Sequence, residues 1–252
     1  MPTYRPAPRQ RSDGRLAWWL ALATVVLEIL YPLVHGHGRD ELTIATVIAF
    51  ALATVCQLIA TRRLPAALLF LIVTAAVGFA VESVGTRTGY PFGRYSYNGS
   101  LGPRLRDVPL VIPLAWTMMA WPGLAAARRL SNNRVGVAVV GGWALASWDL
   151  FLDPQMVQAG HWSWAHATPG LQGIPLTNYA GWLLVSVLLM AILDRIVPWA
   201  GSDSQPLTLY LWTYGSSVLA NLAFFDRPAV AVAGGVGMGL VALPLLGRLV
   251  RR

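Results

Sequence analysis

Hydrophobic residues run through this chain in long blocks that short polar segments separate. Each block approaches the ~20 apolar residues that a helix needs to cross a bilayer. The blocks predict eight membrane-spanning helices, over residues 16–34, 43–61, 66–84, 108–127, 135–152, 176–196, 207–225 and 228–247. We therefore predict an all-α, polytopic integral membrane bundle with a single helical domain over residues 16–252, preceded by a basic tail over residues 1–15.

Arginine supplies all of the cationic side chains apart from histidine, because the chain has 19 arginines and no lysine. With the N-terminus inside, 13 arginines fall on the inner side and six on the outer side. This excess predicts that both termini are cytoplasmic and that the protein is a multi-pass protein of the cell membrane. Arginines at helix ends favour contact with lipid headgroups, so no nucleic-acid partner is predicted.

Acidic residues are few, and most of them gather on the predicted outer side. Eight of the eleven lie there: Glu28, Glu82, Asp149, Asp153 and Asp226 in or at the ends of apolar blocks, and Asp40, Glu41 and Asp107 in loops. A carboxyl group near hydrocarbon is costly and commonly marks a functional site. The pattern predicts a polar pocket near one membrane surface, with acids that hold their protons at neutral pH.

Asp149 and Asp153 are four residues apart, so a continuous helix would present both carboxyl groups on one face. We expect Pro154 to end that helix directly after Asp153. Both acids and Glu82 are then expected near helix C-termini, where the helix dipole favours the protonated form. A protonated carboxyl group is what general-acid catalysis requires.

Two long connections, residues 85–107 and 153–175, fall on the same outer side. Loops of this length are commonly functional, and their aromatic content argues against disorder. With the adjoining helix ends they supply eight candidate substrate-binding residues: Trp148, Trp162, Trp164, Tyr95, Tyr97, Tyr179, Trp182 and Arg94. An aromatic face attracts a cation by roughly 0.5–2 kcal/mol, so acids beside aromatic rings favour chemistry through a carbocation.

Several of these residues also have structural interpretations. A tryptophan or tyrosine at a membrane interface commonly anchors the protein. Glu28 fits an interhelical hydrogen bond equally well, and Asp226 fits a local ion pair with Arg227. Asp149 and Asp153 with the two loop histidines match no strong metal-ligand spacing, so no metal is predicted. No nucleotide-binding or haem-attachment motif is found, so no cofactor is predicted.

Three stretches of the chain resemble one known family. They are ESVGTRTGYPFGRYSYNGSLGPRLRDVPLVIPLAWTMM (Glu82–Met119), WDLFLDPQMVQAGHWSW (Trp148–Trp164) and GIPLTNYAGW (Gly173–Trp182). They are similar to the integral-membrane carotenoid biosynthesis family that includes the carotenoid 1′,2′-hydratases and bisanhydrobacterioruberin hydratase. The resemblance implies addition of water across the terminal double bond of an acyclic carotenoid end group, without a redox cofactor. Its implied partners are a carotenoid within the bilayer, membrane lipids and other carotenoid biosynthesis enzymes.

In this interpretation Asp149 or Glu82 protonates C2 of the alkene, and tryptophans stabilise the tertiary cation at C1. Asp153, His161 or Asn178 then holds the water that adds to C1. Two alternatives stay open: a carotenoid cyclase or isomerase that uses the same acid, and a non-catalytic transporter of lipids or solutes. Transporters commonly contain repeated segments, and we see no internal repeat in this sequence.

Overall fold

The computed structural model describes residues 14–199 and 202–251. These residues form nine α-helices: α1 (Arg15–Leu30), α2 (His37–Arg62), α3 (Leu64–Thr88), α4 (Val111–Leu130), α5 (Arg134–Ala146), α6 (Asp149–Gln158), α7 (Leu176–Ile196), α8 (Ser204–Ala223) and α9 (Pro228–Val250). A short 3₁₀ helix, Tyr31–Leu33, extends α1. Each predicted span is helical, and α5 and α6 together make the fifth.

Within the described residues, six helical segments are long and apolar enough to cross a membrane. The predicted fold class, a polytopic helical membrane bundle, is confirmed. The number of crossings and the cytoplasmic position of the termini stay predictions. Most of the predicted basic tail, residues 1–13, lies outside the described residues.

Three expectations about helix ends are wrong. Pro154 does not end a helix, because α6 continues through it to Gln158. Asp149 lies in the first turn of α6, after a break from α5 at residues 147 and 148, and not at a helix C-terminus. Glu82 lies within α3, which runs on to Thr88. The helix-dipole argument for these acids therefore does not hold.

The two long loops are shorter than predicted, since both begin as helix, and both contain β-strands. Three antiparallel pairs form: β1 (Tyr95–Tyr97) with β4 (Trp162–Trp164), β2 (Arg104–Leu105) with β3 (Val108–Pro109), and β5 (Gly170–Leu171) with β6 (Ile174–Pro175). The β1–β4 pair joins one loop to the other. We call this part of the bundle, with segments 89–110 and 159–175, the loop end.

The loop end contains two copies of one structural unit. Each has a helix, a strand and a hairpin that leads into the next helix: α3–β1–β2–β3–α4 and α6–β4–β5–β6–α7. In the first hairpin Leu110 N–H donates to the Pro103 carbonyl at 2.9 Å, and in the second Leu176 N–H donates to the Pro169 carbonyl at 3.0 Å. These counterparts lie 66 positions apart along the chain.

The sequences of the two hairpins carry the same signal. Both follow the pattern P-x-L-x-x-V/I-P-L, in PRLRDVPL and PGLQGIPL. Both turn through two residues with positive φ, at 106 and 107 in one hairpin and 172 and 173 in the other. Two such residues define a type I′ turn. The expectation of no internal repeat is therefore wrong, and the argument against a transporter that rested on it falls.

The register of the β1–β4 pair relates the two units by an approximate twofold axis. Tyr95 pairs with Trp164 and Tyr97 with Trp162, while Ser96 pairs with Ser163 at the centre. The first residue of each strand thus pairs with the last residue of the other, so a twofold rotation about the central serine pair preserves the register. Because side chains alternate along a strand, the four aromatic residues share one face, and that face is the more buried one.

Helix α5 packs closely against α7 through glycine. A Cβ atom added at Gly142 would lie 2.4 Å from Val187 Cγ2 and 2.7 Å from the Val187 backbone. Small residues at such contacts let two helix backbones approach, and this approach supplies much of the packing energy in a membrane. Gly142 therefore brings α7, with the residues at its start, against α5.

Gly142→Ala is expected to lower the free energy of unfolding by about 1–3 kcal/mol, because the added methyl group forces α5 and α7 apart. Gly215→Ala is the matched control, since a Cβ at Gly215 on α8 meets no described atom within 4 Å. The control should be neutral or slightly stabilising, by up to ~1 kcal/mol of helix propensity. Unfolding in detergent by a denaturant series measures both variants, and equal effects would contradict the packing role.

The opposite end of the bundle, which we call the arginine end, holds the ion pairs of Asp194 and Asp203. Arg62 pairs with Asp203, and Arg129 Nη2 lies 3.7 Å from the same carboxylate. Arg128 Nε donates to Asp194 at 2.9 Å. These two acids are therefore neutralised by arginine.

Candidate active site

A cavity of about 170 Å³ lies at the loop end, between helix ends and both loops. Nine of the predicted site residues line it: Glu82, Asp153, Asn178, Tyr95, Tyr97, Trp148, Trp162, Trp164 and Trp182. Its walls are mainly apolar and aromatic, with carboxyl and amide groups at a few points. Such a lining is typical of a small-molecule site.

Glu82 is held by three donors. Tyr95 and Tyr97 donate their hydroxyl groups to Glu82 Oε2 at 2.5 and 2.7 Å, and Trp116 Nε1 donates to Oε1 at 3.3 Å. Burial raises the pKa of both tyrosines, and the negative charge of Glu82 raises it further. Both hydroxyl groups therefore keep their protons and act as donors over the physiological pH range.

Asp149 and Asp153 form the second acidic group, which we call the carboxyl pair. Asn178 donates its amide N–H groups to both, to Asp149 Oδ2 at 2.8 Å and to Asp153 Oδ2. Trp162 Nε1 donates to Asp153 Oδ1 at 3.0 Å. Within the described residues Asp149 Oδ1 has no hydrogen-bond partner, and Asp149 is fully buried. Asp153 faces the cavity, and Asp149 lies behind it.

Within the described residues no ion pair joins an arginine to Glu82 or to the carboxyl pair. Arg87 and Arg94, the arginines that lie near these acids in the sequence, are exposed. Among the described residues, the cavity lining includes no arginine and no histidine. The acids at the arginine end of the same chain are, by contrast, ion-paired. Glu82 and Asp153 therefore border an apolar cavity and are held there by hydrogen bonds, with no cation in the described lining.

Two stacked indoles form one wall of the cavity. Trp116 and Trp182 lie parallel, with ring centroids 4.2 Å apart and planes 4° apart. They occupy equivalent positions in the two units, 66 residues apart. Trp148 meets Trp182 edge-on at 6.3 Å. Trp116 was not predicted as a site residue, although recognising the repeat from Trp182 would have identified it.

Four predicted site residues do not line the cavity. Besides Asp149, these are His161, Tyr179 and Arg94. Tyr179 is half-buried, and Arg94 is exposed.

His161 joins the two loops and does not contact the acids of the cavity. Its Nδ1 lies 2.7 Å from Ser100 Oγ, and its Nε2 lies 3.8 Å from Asp40 Oδ1. Burial lowers the pKa of His161, and the Asp40 charge opposes this only in part. The neutral form is therefore favoured, which suits a structural hydrogen bond better than proton relay.

The cavity extends to residues outside the two repeated units. Glu28 of α1 lines it, with three hydroxyl residues of α8, Thr213, Ser216 and Ser217. From sequence, Glu28 fitted two interpretations equally well, and the α8 residues were not predicted. Their spacing was a usable signal, because positions i, i+3 and i+4 share one helix face.

The fold and the cavity define a class: a helical membrane protein with clustered carboxyl groups in an aromatic cavity. A family model described as carotenoid biosynthesis protein matches residues 42–246, and the chain belongs to this family. Bisanhydrobacterioruberin hydratase of Haloarcula japonica is 32% identical over 131 residues, which are 50% of this chain and 44% of that protein. The chain thus matches less than half the length of this curated relative. No solved structure matches the chain.

Proposed function

We propose that this protein is a carotenoid hydratase, which adds water across the terminal C1–C2 double bond of an acyclic end group to give a tertiary alcohol. The observation that carries the proposal is the buried carboxyl pair in the wall of an apolar, aromatic cavity. Membership of the carotenoid biosynthesis family and a relative named as a hydratase supply the substrate class.

The substrate is too apolar to leave the bilayer, so its end group enters the cavity from the membrane. The apolar side chains and indole rings of the cavity suit a hydrocarbon end group. We place the protein in the cell membrane on this basis. Hydration changes no net oxidation state, so the proposed reaction needs no redox cofactor.

The carboxyl pair is the proposed proton donor. Two carboxyl groups that share the donors of one amide in a buried site favour holding one proton between them. Asp153 borders the cavity and delivers that proton to C2, and the pair regains a proton from solvent before the next turnover. Glu82 is less suited as donor, because three groups already donate to its oxygens.

Protonation at C2 leaves the positive charge on C1, which is the more substituted and more stable position. The stacked pair Trp116 and Trp182, with Trp148, offers aromatic faces to this cation. Each such contact is worth roughly 0.5–2 kcal/mol, more when water is excluded. Because the rings are fixed by packing before the charge forms, they stabilise the cation without reorganisation.

Expression in a lycopene-producing bacterium tests the proposal. The pigments should gain the mass of one water molecule for each modified end group. A product of unchanged mass and altered absorption would instead identify the cyclase or isomerase alternative, which uses the same acid. Unchanged pigments with abundant protein in the membrane would contradict the hydratase and favour the transporter alternative.

A further inference from the structure

The cavity has an asymmetric extension that the two repeated units do not provide. It is lined by α1, α2 and α8, and α1 packs against both of the other helices. Glu28 stands here, and its Oε2 accepts a hydrogen bond from Trp212 Nε1 at 2.7 Å. Glu28 precedes residue 42, where the family match begins, so the comparison assigns it no role.

Hydroxyl groups surround this extension. Within the described residues, the hydroxyl oxygens of Tyr31, Thr46 and Thr213 are buried and have no hydrogen-bond partner. Tyr31 and Thr213 are only 7% and 4% exposed, and all three residues line the cavity. Buried polar groups in proteins are almost always hydrogen-bonded, to protein or to ordered water. A hydrocarbon end group offers them no partner, whereas an ordered water molecule can bond to them.

We infer that Glu28 and these hydroxyl groups hold the water that adds to the substrate, and that Glu28 is the base for this step. The inference rests on the proposed hydratase function and deepens it. We call the site, formed by Glu28, Tyr31, Thr46 and Thr213, the water arm. A carboxylate beside ordered water is the arrangement that general-base catalysis requires.

The step balances in atoms and charge. Asp153 gives a proton to C2, and the two alkene electrons form the new C–H bond. A water oxygen in the water arm then donates a lone pair to C1 and forms the C–O bond. The water loses one proton to the Glu28 carboxylate, which leaves the neutral tertiary alcohol. Glu28 and the carboxyl pair exchange their protons with outer solvent before the next turnover.

The two acids of this reaction both line the cavity, and they stand on different helices with different neighbours. Asp153 is on α6, which packs against α7 and α9, whereas Glu28 is on α1, which packs against α2 and α8. Proton and water therefore approach the end group from different helices. Replacing one of these acids leaves the other in place on its own helix. Loss of the acid and loss of the base should therefore have different effects on the cation.

Glu28→Gln tests the inference in membranes supplied with lycopene in deuterium oxide. The amide side chain of this variant retains an acceptor for Trp212 but is no longer a base. We expect hydration to fall by ~10²-fold or more. Deuterium should still enter the unhydrated carotenoid, because the cation forms and then returns to an alkene by losing a proton from C2 or a neighbouring carbon. Asp153→Asn should show neither hydration nor deuterium entry.

Three outcomes would overturn the inference. The first is wild-type hydration by the Glu28→Gln variant. The second is loss of both hydration and deuterium entry in Glu28→Gln at normal membrane abundance, which would give Glu28 a general structural role. The third is a wild-type protein that neither hydrates the carotenoid nor introduces deuterium into it. That result would overturn the proposed hydratase function itself, whereas the first two outcomes concern only Glu28.

A hydroxyl deletion supplies independent evidence. Thr213→Val keeps the shape of the side chain and removes one contact to the water. For this variant we expect the amount of hydrated product, divided by the amount of carotenoid that gains deuterium without hydration, to be several-fold lower than in the wild type. Thr208→Val is the control, because Thr208 lies on the same helix but is exposed and bonded to the Ser204 carbonyl at 2.9 Å. An equal ratio in both variants would contradict the water arm.

Discussion

Asp153→Asn is expected to lower hydration by ~10²–10⁴-fold, the range over which a positioned general acid contributes. The substitution keeps the size of the side chain and its place beside Asn178 and Trp162. It removes the proton that the reaction consumes. The measurement is the mass of the carotenoid products, with the abundance of the variant in the membrane determined in parallel.

Asp226→Asn is the matched control for this variant. Asp226 is an exposed acid at the same end of the bundle, and it is absent from the cavity lining that the described residues form. Its φ of 52° is one that asparagine adopts readily. The control should hydrate like the wild type. Hydration by Asp153→Asn within twofold of the wild type would remove the carboxyl pair from the mechanism.

Asn178→Leu is expected to affect both stability and activity, because one amide group serves two buried carboxyl groups. Leucine is similar in size and leaves Asp149 Oδ2 and Asp153 Oδ2 without that donor. Each unsatisfied buried group costs about 1–3 kcal/mol, so unfolding in detergent should shift measurably. Hydration should be lost as well, because Asp153 is no longer held at the cavity wall.

Tyr179→Phe is the control for this second variant. Tyr179 is the next residue of α7, but it is absent from the cavity lining. Its loss of a hydroxyl group should change neither stability nor hydration appreciably. If Asn178→Leu unfolded at the wild-type denaturant concentration and retained its activity, the shared amide would be unimportant to the site.

The helices were predictable because length and apolar composition determine a membrane span almost alone. The pairing of Asp149 with Asp153 was also predictable, because a four-residue spacing brings side chains together on any helix. Pro154 misled the prediction. A proline removes one backbone donor and disfavours the helical conformation before it, but packing around α6 outweighs this cost.

Residues that meet across the bundle were less predictable. Glu28 reaches the cavity only because α1 packs against α2 and α8, and a single sequence carries no information about which helices touch. His161 was assigned to catalysis because of its chemistry. Its ring is directed by the β1–β4 pairing toward Ser100 of the other loop and Asp40 of α2, which are both far from it in the chain.

The relation between the two units places unlike acids at equivalent positions of one cavity. Glu82 and Asp149 each stand 13 residues before the first aromatic residue of the following strand, Tyr95 or Trp162. In the first unit this carboxyl group is a fixed acceptor for two tyrosines. In the second unit it has a carboxyl neighbour four residues on and shares the Asn178 amide with it. The two units thus divide between them tasks that identical copies would perform twice.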